Sequence, residues 1–236
     1  MPFQFKQFSV EQDRCAMKIG TDAVLLGAWT PLHNYPFSVL DIGAGTGVLA
    51  LMIAQRSGAE QIDALEIDEN AYEQCVDNFE NSPWGDRLFC FHAGLDEFME
   101  EPEDEYDLII SNPPFFTEDY TSEDELRTQA RFTQALPFED LIEAAALLLS
   151  EKGIFSVIIP FRDEARFIAM AEEQELYPEK ITRVKGTATT PIKRSLIAFS
   201  RTIASEIAID ELVIEITRHQ YTPEYSMLTR DFYLKM

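Results

Sequence analysis

The chain has 236 residues, 46% of them hydrophobic, and carries 42 Asp and Glu against 19 Lys and Arg, for a formal charge of −23. That length and composition fit one α/β domain with a full core. The opening Met1-Pro2-Phe3-Gln4-Phe5-Lys6 lacks a signal-peptide apolar stretch, and the runs Val48 to Ala54 and Ala144 to Leu149 are too short to span a bilayer, so a cytoplasmic protein with no membrane contact is expected. Cys15, Cys75 and Cys90 are scattered and form no ligand pattern with His33, His92 and His219; structural thiols and no metal are expected, with a lone catalytic thiol as the alternative.

In chain order, Asp22 to Trp29 shows apolar positions at helical spacing after a possible cap, Thr21, and predicts a short helix. Phe37 to Ile42 predicts a first core strand, Gly43 to Gly47 a loop, and Val48 to Ser57 a helix. Gln61 to Ile67 predicts a second strand, Glu69 to Asn81 a helix stopped by Ser82-Pro83-Trp84-Gly85, and Arg87 to His92 a third strand. Tyr106 to Ser111 is apolar on both faces at Leu108 to Ile110, as a central parallel strand covered by helices should be.

Beyond an acidic loop from Thr117 to Glu125, Pro137 to Ser150 reads as a helix ended by Lys152-Gly153, followed by a strand from Ile154 to Ile159 and a helix from Phe161 to Glu175. Ile181 to Lys185 and Ser195 to Ser200, joined without a helix, predict an antiparallel hairpin. The tail from Glu206 to Ile216 alternates in part and predicts a strand or pair near the sheet edge. The alternation of strand and helix predicts a doubly wound, mostly parallel α/β sheet with an antiparallel edge hairpin. A single domain over residues 1–236 is expected, with an extension at 1–35, a core at 36–201 and a strand or tail at 202–236.

The charge is lopsided. Glu60 to Glu125 carries a net −21, whereas Tyr177 to Ile203 carries a net +5. Acidic helices are ordinarily solvated faces, and the basic hairpin fits either internal balance or a polynucleotide.

Two motifs carry chemistry. In Asp41-Ile42-Gly43-Ala44-Gly45-Thr46-Gly47 the glycines allow a tight turn at a strand's carboxyl end and close approach of a ligand. The spacing is G-x-G-x-G and not the dinucleotide G-x-G-x-x-G, since Val48 stands at the last position. Asp41 is placed to orient the loop amides or meet a ligand amine. Glu66, closing the second strand, is placed to accept hydrogen bonds from both ribose hydroxyls of a nucleoside. Asn112-Pro113-Pro114-Phe115 is the sharper signal. The two prolines hold Asn112 and Pro113 extended and stiff. The Asn112 side-chain oxygen and the Pro113 carbonyl then suit the two N–H groups of a planar exocyclic amine, and Phe115, with Phe116 as a possible helper, suits stacking on the ring. Together these point to methyl transfer onto nitrogen, a reaction governed by positioning and electrostatics.

These motifs resemble the class I S-adenosylmethionine-dependent methyltransferases of the amino-methylating branch. The stretch Met17-Lys18-Ile19-Gly20-Thr21-Asp22-Ala23-Val24-Leu25-Leu26-Gly27-Ala28-Trp29 and the ending Leu228-Thr229-Arg230-Asp231-Phe232-Tyr233-Leu234 resemble the bacterial transfer-RNA valine adenosine-37 N6-methyltransferase family. The resemblance implies a seven-stranded Rossmann-like sheet, S-adenosylmethionine as cofactor, and a tRNA adenine next to the anticodon as acceptor. It further implies Thr21 and Asp22 near the methionine moiety, Asp41, Gly43, Gly45 and Gly47 lining the cofactor, Glu66 on its ribose, Ala93 as a backbone contact, and Asn112, Pro113, Pro114 and Phe115 as the acceptor site. Gly94 stands where many such enzymes carry an acid for the cofactor adenine, with Asp96 nearby. Arg127, Arg131, Lys193 and Arg194 are expected to meet RNA phosphates. Rival readings are glutamine methylation in a protein release factor, against which Phe115 and the short N-terminus argue, guanine N2-methylation in ribosomal RNA, and a catalytically silent cofactor-binding scaffold, which has no use for Asn112.

Overall fold

A computed structural model describes residues 2–100, 105–114 and 136–235. The chain opens with two short strands, β1 (Phe3–Gln4) and β2 (Ser9–Val10), paired antiparallel, and then forms helix α1 (Thr21–Trp29). The helix begins at Thr21 and not after it. Gly20 holds the cap position with no side-chain cap, so the expected capping role of Thr21 is corrected.

The core follows as β3 (Ser38–Ile42), α2 (Val48–Arg56), β4 (Gln61–Glu66), α3 (Glu69–Glu80), β5 (Leu88–His92), α4 (Leu95–Met99) and β6 (Tyr106–Ser111). Then come α5 (Phe138–Leu148), β7 (Leu149–Pro160), a 3-10 turn at Phe161–Asp163, α6 (Glu164–Glu173), β8 (Tyr177–Thr187), β9 (Ile192–Ser200), β10 (Ala208–Thr217), β11 (Gln220–Tyr221) and α7 (Pro223–Thr229).

These strands build one nine-stranded sheet in the order β11-β10-β8-β9-β7-β6-β3-β4-β5. Strands β5, β4, β3, β6 and β7 run parallel, β9 enters antiparallel to β7 and β8, and β10 runs parallel to β8. The expected seven strands are β3 to β9, and β10 and β11 extend them. Because β9 reverses, the turn of the β8–β9 hairpin and the end of β10 hang over the same edge as the carboxyl ends of the parallel strands.

Each central strand is buried on both faces, and the period-two alternation of a strand sorts its side chains into two cores. Val39, Ile62, Ala64, Leu108 and Ile110 pack on α1, α2 and α3, while Leu40, Ile42, Leu65 and Ile109 pack on α5 and α6. Each fully buried Leu or Ile contributes about 1.5–3 kcal/mol relative to exposure. On the first face α1 and α2 meet closely at Gly27, where an added Cβ would lie 2.7 Å from the Met52 sulfur.

Gly153 departs from expectation. Helix α5 ends at Leu148 and the chain passes straight into β7, so Gly153 is inside a strand and stops no helix. The ladder between β6 and β7 is irregular between Tyr106 and Leu108, and an added Cβ at Gly153 would come within 2.9 Å of the Tyr106 carbonyl. The glycine permits that close backbone approach.

Candidate functional site

Register puts the motifs side by side. Ser111 at the end of β6 pairs with Ile42 at the end of β3, Ile42 pairs with Leu65, and Glu66 at the end of β4 pairs with His92 of β5. One step on, Asn112, Gly43, Glu66 and His92 therefore stand in a row along the carboxyl edge of four adjacent parallel strands, which lie about 4.8 Å apart, and Ala93 follows one residue beyond that row. Ligands of open α/β sheets sit at this edge. The Ser111 hydroxyl donates to the Ile42 carbonyl at 2.8 Å and locks the two motif-bearing strands together.

The glycine loop is held by the end of β4. Gly43 and Ala44 amides donate to the Leu65 carbonyl at 3.0 and 2.9 Å, and the Gly45 amide donates to Glu66 Oε2 at 2.7 Å. Glu66 Oε1 accepts from the Asp68 amide at 2.9 Å. Each carboxylate oxygen retains a second lone pair for a ligand hydroxyl. Burial raises the Glu66 carboxyl above its ordinary range, against the Asp68 and Gly45 amides, which lower it.

The glycines divide by surroundings. All three have positive φ, at 75° for Gly43, 56° for Gly45 and 76° for Gly47. An added Cβ at Gly43 or Gly45 meets nothing within 4 Å, so both border open space. At Gly47 it would lie 2.5 Å from the Phe79 ring and 2.7 Å from the Cys75 sulfur. Gly47 thus serves the packing of α2 on α3, where the sequence pattern had grouped it with the ligand-facing glycines.

Asp41 is fully buried at the end of β3. Its Oδ2 accepts from the Ala50 amide in the first turn of α2 at 3.1 Å, while its Oδ1 is buried with no hydrogen-bond partner. Desolvation pushes its carboxyl up to about 7. A buried, half-satisfied carboxylate below an open glycine loop offers an acceptor to a ligand that brings N–H groups and positive charge.

Asn112 is half-buried after β6, with Pro113 buried beside it. Phe115, expected to stack on the acceptor, and Arg127 and Arg131, expected on RNA phosphates, lie outside the described residues. Thr21 is exposed at the start of α1. Asp22 and Arg194, expected on different ligands, face each other: Arg194 Nε donates to Asp22 Oδ2 at 2.8 Å. Because Arg194 pairs in register with Pro160 at the end of β7, this link ties α1 to the site edge. Lys193 beside it is exposed.

Sequence reasoning missed three groups. Gln74 and Asn78, buried on the inner face of α3, fix the N-terminal segment over the glycine loop. Asn78 accepts from the Glu11 amide at 2.8 Å and donates to the Glu11 and Thr46 carbonyls at 3.0 and 2.9 Å, and Gln74 accepts from the Arg14 amide at 2.8 Å. Their signal was amides interleaved with Cys75 and Phe79 on one helical face. Glu164, buried after β7, accepts from the Ser195 hydroxyl at 2.5 Å and from Arg183 Nη2 at 2.7 Å, and no local pattern marked it. Burial pushes the Cys15 thiol up to about 12 and the Cys75 thiol well above its usual range, which leaves both protonated and favours packing over nucleophilic chemistry.

A glycine loop, an acid closing the next strand and an Asn-Pro-Pro corner level with the loop, on a parallel sheet closed by an antiparallel hairpin, define a class I methyltransferase scaffold. The methyltransferase small domain family matches residues 20–172. Among solved structures, one described as a predicted O-methyltransferase from Agrobacterium tumefaciens superposes with TM-score 0.67 at 19% identity, covering 89% of this chain and 96% of that one. The ribosomal protein L11 methylase of Lactobacillus delbrueckii subsp. bulgaricus superposes with TM-score 0.53 at 18% identity, covering 76% and 77%. Both show the shared fold. In sequence the chain is 72% identical to the tRNA1(Val) (adenine(37)-N6)-methyltransferase of Flavobacterium johnsoniae over 99% of this chain and all of that protein, and 44% identical to its counterpart in Bacteroides fragilis strain ATCC 25285 over 99% and 98%. The chain belongs to this family of methyltransferases, whose class uses S-adenosylmethionine as cofactor.

Proposed function

We propose that the protein methylates the exocyclic N6 of adenosine 37 in a valine tRNA. The observation that carries the reading is the register that stands Asn112 level with Gly43, so that an acceptor pocket and a donor pocket share one sheet edge. The relatives' activity supports the choice of acceptor.

Bound S-adenosylmethionine supplies a methyl group on a sulfonium sulfur. Gly43 and Gly45 would line its pocket, Glu66 would accept from the ribose hydroxyls, and the unpartnered oxygen of Asp41 would accept from a donor group. Ala93 would offer backbone just past the carboxyl end of β5. The acceptor side follows from the chemistry of an aromatic amine, whose lone pair is delocalised into the ring. With both N–H groups donated to the Asn112 side-chain oxygen and the Pro113 carbonyl, the nitrogen is drawn toward tetrahedral geometry and its lone pair is freed. Pro113 and Pro114 keep the two acceptors fixed, and no strong base is required until the methylated nitrogen releases its proton.

The test is incubation of total RNA and protein with labelled cofactor, then nucleoside analysis. N6-methyladenosine in tRNA is expected, and label confined to protein or to guanine overturns the reading. Asn112→Ala should keep S-adenosylhomocysteine binding while turnover falls at least a hundredfold, the loss typical of removing one transition-state hydrogen-bonding group.

A further inference from the structure

Residues beyond the cofactor-binding core build a second cleft on the same edge. The β1–β2 hairpin and the tail are joined by an antiparallel bridge between Phe5 and Tyr233 and by the Lys6 amide donating to the Phe232 carbonyl at 2.9 Å. Between them, α7, β11 and the end of β8 at Gly186 lies a cavity of about 780 Å³ that reaches Thr21 at the start of α1. Its walls are aromatic: Phe3, Tyr221, Tyr225 and Tyr233. Most of these lining residues lie outside the stretch 20–172 that the methyltransferase small domain covers, so the cleft is largely an addition to that domain and meets it at Gly20 and Thr21.

Three features decide its ligand. The volume falls within the range of small-molecule and nucleotide pockets. Tyr221 and Tyr225 stand 5.2 Å apart with rings tilted by 38°, and Tyr221 is 41% exposed, so part of this aromatic pair is open to an incoming planar group. Charged groups of both signs surround it: Glu215, whose carboxylate accepts from the His219 amide at 3.2 Å, and Lys235 both line the cleft, and exposed Lys193 and Arg218 sit at the strand ends on this edge. The Glu215 carboxylate can accept from a base amine or ribose hydroxyl. Lys235, Lys193 and Arg218 attract the phosphates that flank such a base.

We propose that this cleft stacks an unpaired nucleobase of the RNA substrate some nucleotides away from the target adenine, since β10 lies four strands from β6, about 19 Å along the edge, and thereby sets which loop the enzyme accepts. The inference rests on the tRNA reading above. Aromatic stacking of a base is sequence-tolerant, so the cleft recognises a splayed-out nucleotide and not a duplex.

The test uses the full chain with S-adenosylhomocysteine and an unmodified tRNA transcript, with affinity read by fluorescence anisotropy. Tyr221→Leu, which keeps an apolar surface but removes the ring, should weaken tRNA binding about tenfold and raise KM for tRNA to match, while the Kd for S-adenosylhomocysteine stays as in the parent; Tyr221→Phe should restore binding. Unchanged tRNA affinity in Tyr221→Leu, with a parent that methylates tRNA, overturns the cleft alone. A parent that neither binds nor methylates tRNA overturns the cleft and the proposed function together. Should Tyr221→Leu unfold, photo-crosslinking of 5-iodouridine-substituted tRNA to the parent decides: adducts on Phe3, Tyr221 or Tyr233 are expected, and adducts only elsewhere reject the proposal.

Discussion

Gly45→Ala and Gly47→Ala should separate a glycine that faces a ligand from one that faces the core, although the two residues lie two apart in one loop. Both have left-handed backbone, which costs a residue with a Cβ about 1–2 kcal/mol. At Gly45 the new methyl meets open space, so that strain is the whole penalty. At Gly47 the methyl would also lie 2.5 Å from the buried Phe79 ring and 2.7 Å from Cys75. Overpacking of this kind adds about 1–3 kcal/mol. The expected losses are therefore about 1 kcal/mol for Gly45→Ala and about 3 kcal/mol for Gly47→Ala, which in a domain of this size correspond to roughly 2–4 °C and 6–12 °C in Tm. Ligand binding should rank the other way: Gly45→Ala weakens S-adenosylhomocysteine binding, measured by calorimetry, more than Gly47→Ala does at a temperature where both are folded. Equal losses of Tm, or unimpaired ligand binding by Gly45→Ala, would refute the division of the loop.

Asp41 gives a pH signature. Its folded carboxyl, pushed up to about 7 by burial, holds its proton more tightly than the unfolded one near 4, so the native state loses stability as pH rises between those values. The full effect is on the order of 4 kcal/mol, and Asp41→Asn should flatten that part of the dependence in urea melts of the ligand-free protein at pH 4.5 and 7.5; a slope as steep as the parent's sinks the idea. The Arg194–Asp22 pair is about one-third exposed on each side, and a double-mutant cycle in chemical unfolding should give a coupling of about 0.5–1 kcal/mol. Since Arg194 is engaged there, Lys193→Ala should weaken tRNA binding and its salt dependence more than Arg194→Ala does, a ranking that filter binding at 50 and 200 mM salt can reverse.

Much of this protein was legible in residue order because its signals are local. The glycine run, the acid at the end of the next strand and the Asn-Pro-Pro corner are short patterns whose chemistry follows from backbone freedom, charge and stiffness, and the double-faced apolar strands announce a covered parallel sheet. Strand order fixed the rest. That Asn112 stands level with Gly43 depends on β6 pairing with β3, seventy residues apart, and no periodicity records such a pairing. The division of Gly43 and Gly45 from Gly47 depends on where α3 brings Phe79 and Cys75, and the meeting of Asp22 with Arg194 depends on β9 running backward beside β7. The aromatic cleft is the extreme case, since Phe3 and Tyr233 are the two ends of the chain and become one wall only when the folded core draws them together. Sequence determines what each short segment can do, because propensity and side-chain chemistry are local properties. Tertiary structure alone decides which segments share a solvent-excluded space, because that is settled by burial over the whole sheet.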